Sequence, residues 1–307
     1  MSKKILYLLQ MTKPTQLLLL SITMFGAYFI AGGGADPRIL LLLALTALGS
    51  AGGVTALNMY LEHDIDFRMP RTRDRPLPSG KLSRAEALVG VSMLIILGTL
   101  ASSFINKWVL LTTLVGLYFD IIAYTELAKR RTEWSLLFGS IAGSMPALGG
   151  WAAGAGSIGI NGILLAAMVY VWQPLHVAFI HYYYGEDYEA AKIPTIPGRL
   201  GHRKFASLVK LSVFSLIVLV WIFLLLNGYG LISALLVSFL GAKALKAVKV
   251  FANNPEKSYA RAMIKYASPM IAVAFVMIPL EKTLGFVVLD KEMVLVHSVN
   301  VLEMFLG

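Results

Sequence analysis

Residues 38–66 read RILLLLALTALGSAGGVTALNMYLEHDID, and this stretch decides the fold. A bilayer core about 30 Å thick asks about 20 apolar residues of a helix, and residues 38–60 supply them with no charge after Arg38. The run then ends in acids. At about 100° per residue Asn58, Glu62 and Asp66 share one narrow helical face, whereas Asp64 points away from it. The following loop carries Arg68, Arg71, Arg73 and Arg75 before Gly80. Carboxylates one turn apart at a membrane interface repel and are costly to desolvate unless a cation sits between them. Mg²⁺ suits such a place, because it prefers oxygen ligands and uses one or two carboxylates together with substrate phosphates. Guanidinium groups clamp phosphate in bidentate fashion. A solvated acidic helix end beside a topogenic loop is the plainer alternative, and the density of charge argues against it.

The rest of the chain agrees with a membrane reading. Of its 307 residues, 57% are hydrophobic and 14% charged, against about 45–50% and about 25% in soluble proteins. Mean hydropathy is +0.72. These values exclude a soluble globular enzyme, a disordered chain and a disulfide scaffold. The absence of cysteine excludes disulfides, thiolate metal sites and a cysteine nucleophile. What remains is an all-α polytopic membrane protein. Nine apolar runs are predicted as spans: 15–33, 38–60, 85–105, 108–127, 134–153, 160–183, 205–226, 229–250 and 262–280. With the N-terminus in the cytoplasm, 23 of the 27 Lys and Arg fall on the cytoplasmic side, leaving only Arg38, Lys107, Lys282 and Lys291 opposite. This asymmetry is the positive-inside signature. It also explains the net charge of +10 without nucleic acid. Nothing before Gln16 resembles a transit peptide or a cleavage site, so the first apolar run is expected to stay as a span. The tail from Phe286 to Leu306 is apolar but carries Asp290, Lys291, Glu292 and Glu303. It is expected at the interface or against the bundle.

A second polar cluster ends the sixth run: His181, Tyr184, Glu186, Asp187 and Tyr188, followed by Lys192, Pro194 and Pro197. Four helices separate it from the first cluster, so both open on the same side. Leu77-Pro78-Ser79-Gly80-Lys81-Leu82 also echoes Ile196-Pro197-Gly198-Arg199-Leu200. Two related four-helix halves, a ninth helix and a tail are thus expected in a single domain over 1–307, sharing one cytoplasmic mouth. Trp172, Gln173 and His176 are unusual at membrane depth, where polar side chains face the bundle interior and often mark a substrate path. His176 fits an interhelical hydrogen bond as well as a substrate contact. Lys129, Arg130 and Arg131 read as topogenic, although they face the mouth. Gly139, Gly143 and Gly149 read as close helix packing. Asp120 is a further acid that could join the site.

These motifs resemble the UbiA superfamily of intramembrane prenyltransferases, most closely its haem O synthase branch. The first family motif, Asn with acids at +4 and +8, is matched by Asn58, Glu62 and Asp66. Arg71-Thr-Arg73-Asp74-Arg75-Pro-Leu-Pro78 continues it. Tyr124-Thr125, Lys129-Arg-Arg131-Thr132, the glycines up to Trp151, Trp172-Gln173 with His176, and Asp187-Tyr188 through Pro197 complete the likeness over residues 58–201. The chain departs from the branch in several places. Glu62 replaces an Asp, the proline near His176 is moved by one to Pro174, and Tyr183 stands where the second motif has its earlier acid. Tyr184 and Gly185 replace basic residues, and Lys192 and Thr195 replace a Gly and a Met.

The resemblance implies catalytic and metal-binding roles for Asn58, Glu62, Asp66 and Asp187. It implies substrate binding by Arg71, Arg73, Arg75, Lys129, Arg130, Trp172, Gln173, His176, Glu186 and Tyr188. The reaction implied is transfer of a farnesyl group from farnesyl diphosphate to a vinyl group of haem b, with hydration to haem O and Mg²⁺ as cofactor. On a straight helix His176 and Asp187 would lie about 16 Å apart, near the width of a porphyrin. The resemblance also implies a prokaryotic cell membrane, an active site open to the cytoplasm, and a haem A synthase or haem-copper oxidase assembly factor as partner. A different acceptor, such as a quinone precursor or a lipid glycerol, is the alternative within the fold. A transporter of anionic amphiphiles is the alternative outside it, but acids in a phosphate-binding mouth make little sense there without a metal.

Overall fold

A computed structural model describes residues 3–286, and these are helical with no strand. The tail beyond Phe286, expected at the interface or on the bundle, lies outside the described residues. In chain order the helices are α1 (Lys3–Met11), α2 (Pro14–Ile30), α3 (Pro37–Leu61), α4 (His63–Arg68), α5 (Arg84–Ile105) and α6 (Lys107–Ala128). They continue with α7 (Ser135–Ala155), α8 (Ile160–Tyr183), α9 (Gly185–Ala190), α10 (Ile196–Asn227), α11 (Leu231–Asn253) and α12 (Lys257–Thr283). Each expected apolar run overlaps one helix, although the ends differ and α2 stops at Ile30, short of the expected 33. Among the described residues α3, α5, α6, α7, α10, α11 and α12 are long and apolar enough to cross a membrane, while Pro14–Ile30 and Ile160–Gln173 are shorter apolar helices.

The bundle is apolar outside as well as inside. Met93, Ile96, Leu100 and Phe104 of α5, Leu211 and Phe214 of α10 and Phe239 of α11 are exposed, as suits helices solvated by hydrocarbon. The core lies among α8, α10, α11 and α12, where Trp172, Phe179, Phe205, Phe223, Phe251 and Phe275 are buried together. Small residues let backbones touch. A Cβ on Gly49 of α3 would lie 2.3 Å from the Gly98 backbone nitrogen of α5, so neither helix could approach as it does with alanine there.

Local chemistry sets the breaks. The residue before a proline is pushed out of the α region. Lys13, before Pro14, takes a left-handed backbone (φ 47°) that separates α1 from α2. Helix α1 was not expected from the apolar runs. It is anchored by Met11, which packs with Ala56, Met59, Leu77 and Leu82, and by an ion pair between Lys4 and Glu86. Glu86 and Ser83 form the capping box that starts α5. Two stretches are π-helical, Ala47–Gly52 within α3 and Tyr118–Ala128 at the end of α6; such wide turns are rare and frequent at functional sites.

Polar contacts sort the helix ends into two groups. At one end lie the pairs Glu62–Lys129, Asp64–Arg130, Glu133–Arg199 and Glu186–Lys257. At the other, Asn161 and Asn227 exchange amide bonds, and Glu281 accepts from the Ile232 and Ser233 backbone at the start of α11. The first end carries both polar clusters.

Candidate active site

The first cluster is built on a kink. Helix α3 stops at Leu61, Glu62 takes φ −99° and ψ 13°, and α4 resumes at His63. These angles lie in the sparsely populated bridge region, where active-site residues are often found. The i to i+4 backbone bonds nevertheless continue, from Glu62 N to Asn58 O at 2.9 Å and from Asp66 N to Glu62 O at 2.8 Å. The expected face of Asn58, Glu62 and Asp66 therefore survives the break. Glu62 and Asp66 are both buried.

Each acid meets a cation. Lys129 Nζ, one residue past α6, donates to Glu62 Oε1 at 2.5 Å. Arg75 Nη1 contacts both Asp66 oxygens, at 2.8 and 2.7 Å. Burial, the largest single effect, would lower the Lys129 pKa, but the Glu62 carboxylate together with Tyr124 and Tyr188 outweighs it and holds the ammonium well above the ordinary lysine value. Thr72 donates to the Asp66 carbonyl at 2.8 Å and folds the arginine loop back onto α4. Asn58 donates from Nδ2 to Asp120 Oδ1 at 2.5 Å and accepts at Oδ1 from Thr125 Oγ1 at 2.9 Å.

Lys13 completes the mouth and was not singled out from sequence. It is half-buried, within electrostatic reach of Arg75, Lys129, Glu62 and Asp66. Burial and the two neighbouring cations push its pKa down to about 8, against the opposing pull of the acids. Its only sequence signal was the proline after it, which turns the chain at that point.

The second cluster repeats the device. Helix α8 ends at Tyr183, Tyr184 kinks with φ −104° and ψ 28°, and α9 follows. The helix is therefore not straight from His176 to Asp187, as the sequence expectation assumed. The two clusters do come together. Arg71 lies over the Tyr184 ring at 4.7 Å, and Ile65 and Met69 pack with Tyr188, Ala191 and Ile193. Asp187 is half-buried on α9, and the Tyr188 ring sits 4.6 Å from that of His181.

Other expected site residues lie elsewhere. Arg130 is exposed and paired with Asp64 at 2.9 Å, which lowers the Asp64 pKa and raises that of Arg130. Glu186 is exposed and paired with Lys257 at 2.7 Å, which lowers its pKa. Arg73 is exposed. Deeper in the bundle, Trp172 donates to Ala267 O at 2.7 Å and stacks on His176 with ring centroids 4.8 Å apart. His176 Nδ1 meets Ser268 Oγ at 3.1 Å, so a further partner would meet Nε2. Gln173 packs where a Cβ on Gly143 would lie, 1.7 Å from its Nε2. That glycine keeps the amide inside the bundle.

Among the described residues no three carboxylate or imidazole side chains meet as a ready-made metal cage. The donor set still fits Mg²⁺, because one or two carboxylates suffice when substrate phosphates complete its shell. Asn58, Glu62 and Asp66 provide hard oxygen donors on one face, with Asp187 on the facing cluster.

The apolar helical bundle, with two kinked helices that bring acids and cations to one mouth, defines a multi-pass membrane protein whose buried charges gather at one end. The chain belongs to the UbiA prenyltransferase family, whose model matches residues 19–269. It is 51% identical over 281 residues to the protoheme IX farnesyltransferase of Aeropyrum pernix, covering 92% of this chain and 93% of that protein. It is 40% identical to the protoheme IX farnesyltransferase of Korarchaeum cryptofilum, covering 89% and 93%. In fold it is similar to a digeranylgeranylglyceryl phosphate synthase, with TM-score 0.75 and 18% identity over 91% of this chain and 98% of that one. It is also similar to a UbiA homolog from Archaeoglobus fulgidus bound to GPP and Mg²⁺, with TM-score 0.62 and 14% identity over 89% and 99%.

Proposed function

We propose that this chain transfers a farnesyl group from farnesyl diphosphate to a vinyl group of haem b, giving haem O after hydration. The observation that supports the donor half is the alternation of acid and cation at the mouth, Glu62 with Lys129 and Asp66 with Arg75. The acceptor half rests on the relatives just described. In this reading Asn58, Glu62, Asp66 and Asp187 hold Mg²⁺, which supplies charge neutralisation for the departing diphosphate.

The chain's own groups bind and orient. Arg71, Arg73, Arg75, Lys129 and Lys13 receive phosphate oxygens as the allylic C–O bond breaks and the diphosphate leaves with the electron pair. Such preorganised cations in a water-poor site act most strongly on charge that develops in the transition state. The vinyl group's terminal carbon then bonds to farnesyl C1. Water adds to the resulting cation next to the ring, and a proton is lost. The apolar bundle keeps bulk water from the allylic cation until that bond forms. Trp172, Gln173 and His176 line the acceptor's side, with Tyr188 between the two clusters. Arg130 and Glu186 act at the rim, where phosphate or propionate can draw Arg130 from Asp64 and where Glu186 holds Lys257 in place for the same anions.

The reading places nine spans in a prokaryotic cell membrane, with the N-terminus and the mouth in the cytoplasm. The matched kinks at Glu62 and Tyr184 support two related four-helix halves, a ninth helix and a tail in one domain. A haem A synthase or an oxidase assembly factor is the partner that would take the product.

A competition assay tests the acceptor. Purified protein in lipid, given labelled farnesyl diphosphate with haem b, a hydroxybenzoate and a glycerol lipid together, should place the label in haem. Label in either other acceptor would contradict the reading.

A further inference from the structure

Asp120 stands in the apolar run Tyr118–Ala128 as a carboxylate that the mechanism above does not use. A carboxylate at that depth is costly unless it is hydrogen-bonded. Its contact is specific: Asp120 Oδ1 accepts from Asn58 Nδ2 at 2.5 Å, while Thr125 Oγ1 donates to Asn58 Oδ1 at 2.9 Å. The two ends of an asparagine amide match in shape but not in chemistry. A carboxylate only accepts, so it must face the amide nitrogen, whereas a threonine hydroxyl can turn to suit either end. Asp120 is therefore the group that decides which end of the Asn58 amide points where.

The backbone explains how one helix supplies both contacts. Residues five apart on an α-helix lie about 140° apart and cannot both face one neighbour. Residues 118–128 are π-helical, and the wider turn stacks i with i+5. Asp120 and Thr125 thereby share the side facing α3, and Lys129 follows them onto Glu62.

We propose that Asp120 is a positioning residue for the metal–diphosphate site. With Thr125 it fixes the Asn58 amide so that its oxygen, and not its nitrogen, keeps a lone pair for the metal. This rests on the reading of Asn58 as a metal ligand given above, and it extends that reading to a residue outside the motif.

The test is binding, with no turnover needed. The full chain in detergent is titrated with Mn²⁺ in the presence of a non-reacting farnesyl thiolodiphosphate, and bound metal is read by electron paramagnetic resonance. Asp120→Asn keeps the shape but lets the amide turn over, and should weaken Mn²⁺ binding by about 10–100-fold, the usual cost of losing an outer-shell partner. Thr125→Val spares the acid and should weaken binding in the same direction, whereas Thr125→Ser should match wild type. The double variant Asp120→Asn/Thr125→Val should be no worse than Asp120→Asn alone, because both act through one amide.

Wild-type binding with Asp120→Asn unchanged would overturn this inference alone. Effects of the two changes that simply add, with Asp120→Asn as severe as Glu62→Gln, would make Asp120 a direct ligand and overturn it too. No metal binding by the wild type would overturn the metal reading of the mouth and this inference with it.

Discussion

Lys129 Nζ lies 2.5 Å from Glu62 Oε1, joining the end of α6 to the kink after α3. Both side chains are largely withdrawn from solvent, with 16% and 10% of their surfaces exposed. Two charges so placed are held by each other, and removing one leaves the other buried without a partner. On the proposed reading a metal diphosphate would offer each a replacement: anionic oxygens for the lysine and a cation for the glutamate. The pair would then link substrate arrival to a rearrangement of charge that costs little, because neither group would be left alone.

Glu62→Gln and Asp66→Asn remove ligand charge with little change of shape. Each should lower kcat by at least about 100-fold, the scale of losing one transition-state electrostatic contact, while the protein still inserts and purifies. Chelation with EDTA should inhibit the wild type, and added Mg²⁺ should restore it. Full turnover in excess chelator would contradict the metal-diphosphate site.

Arg75 touches Asp66 and Arg71 lies over Tyr184, whereas Lys246 and Lys249 belong to α11, away from both contacts. Changing Arg71, Arg73 or Arg75 to Ala should raise the KM for farnesyl diphosphate by about 10–100-fold or lower kcat, as expected for a lost charged hydrogen bond. Lys246→Ala and Lys249→Ala should do neither. Equal effects in the two groups, read from initial rates, would reduce the arginine loop to a topogenic signal.

Lys13 has a pKa pushed down to about 8, so its ammonium is present below that pH and is lost as pH rises through it. On the proposed reading, diphosphate binding needs the charged form. The KM for farnesyl diphosphate should therefore rise as pH passes upward through 8, and Lys13→Arg, which stays charged, should flatten the rise. The check is KM measured on both sides of that pH for the two proteins. A rise that is unchanged in Lys13→Arg would assign it to another group.

His176 stacks on Trp172 and meets Ser268 through Nδ1. His176→Ala should weaken haem binding and turnover but leave farnesyl diphosphate binding nearly intact. If Nε2 ligates the haem iron, the same change should remove an imidazole-type shift of the Soret band. Titration of haem b against both proteins checks this. Loss of diphosphate binding with haem binding unchanged would reverse the assignment.

Much of this site was legible in the sequence, because hydrophobic length and four-residue spacing are properties of the chain alone. The nine apolar runs each overlap one helix, and Asn58, Glu62 and Asp66 share a face. The two clusters meet through Arg71 and Tyr184. What the sequence hid depends on departures from the regular α-helix. A template of 100° per residue cannot bring Asp120 and Thr125 to one asparagine, and a π-helical turn can. Nor does it foresee the kinks at Glu62 and Tyr184, or the left-handed Lys13 that carries a further cation into the mouth. Partner choice among surface charges was also out of reach. Arg130 takes Asp64, and Glu186 takes Lys257 across 71 residues, contacts that only the folded bundle decides.

Haem farnesylation is tested most directly by expressing the chain in a host that makes only haem b and identifying the extracted haems by mass. Haem O should appear with the wild type and be absent with Glu62→Gln expressed to the same level in the membrane. Haem b alone in the wild-type extract, from membranes that contain the folded protein, would contradict it.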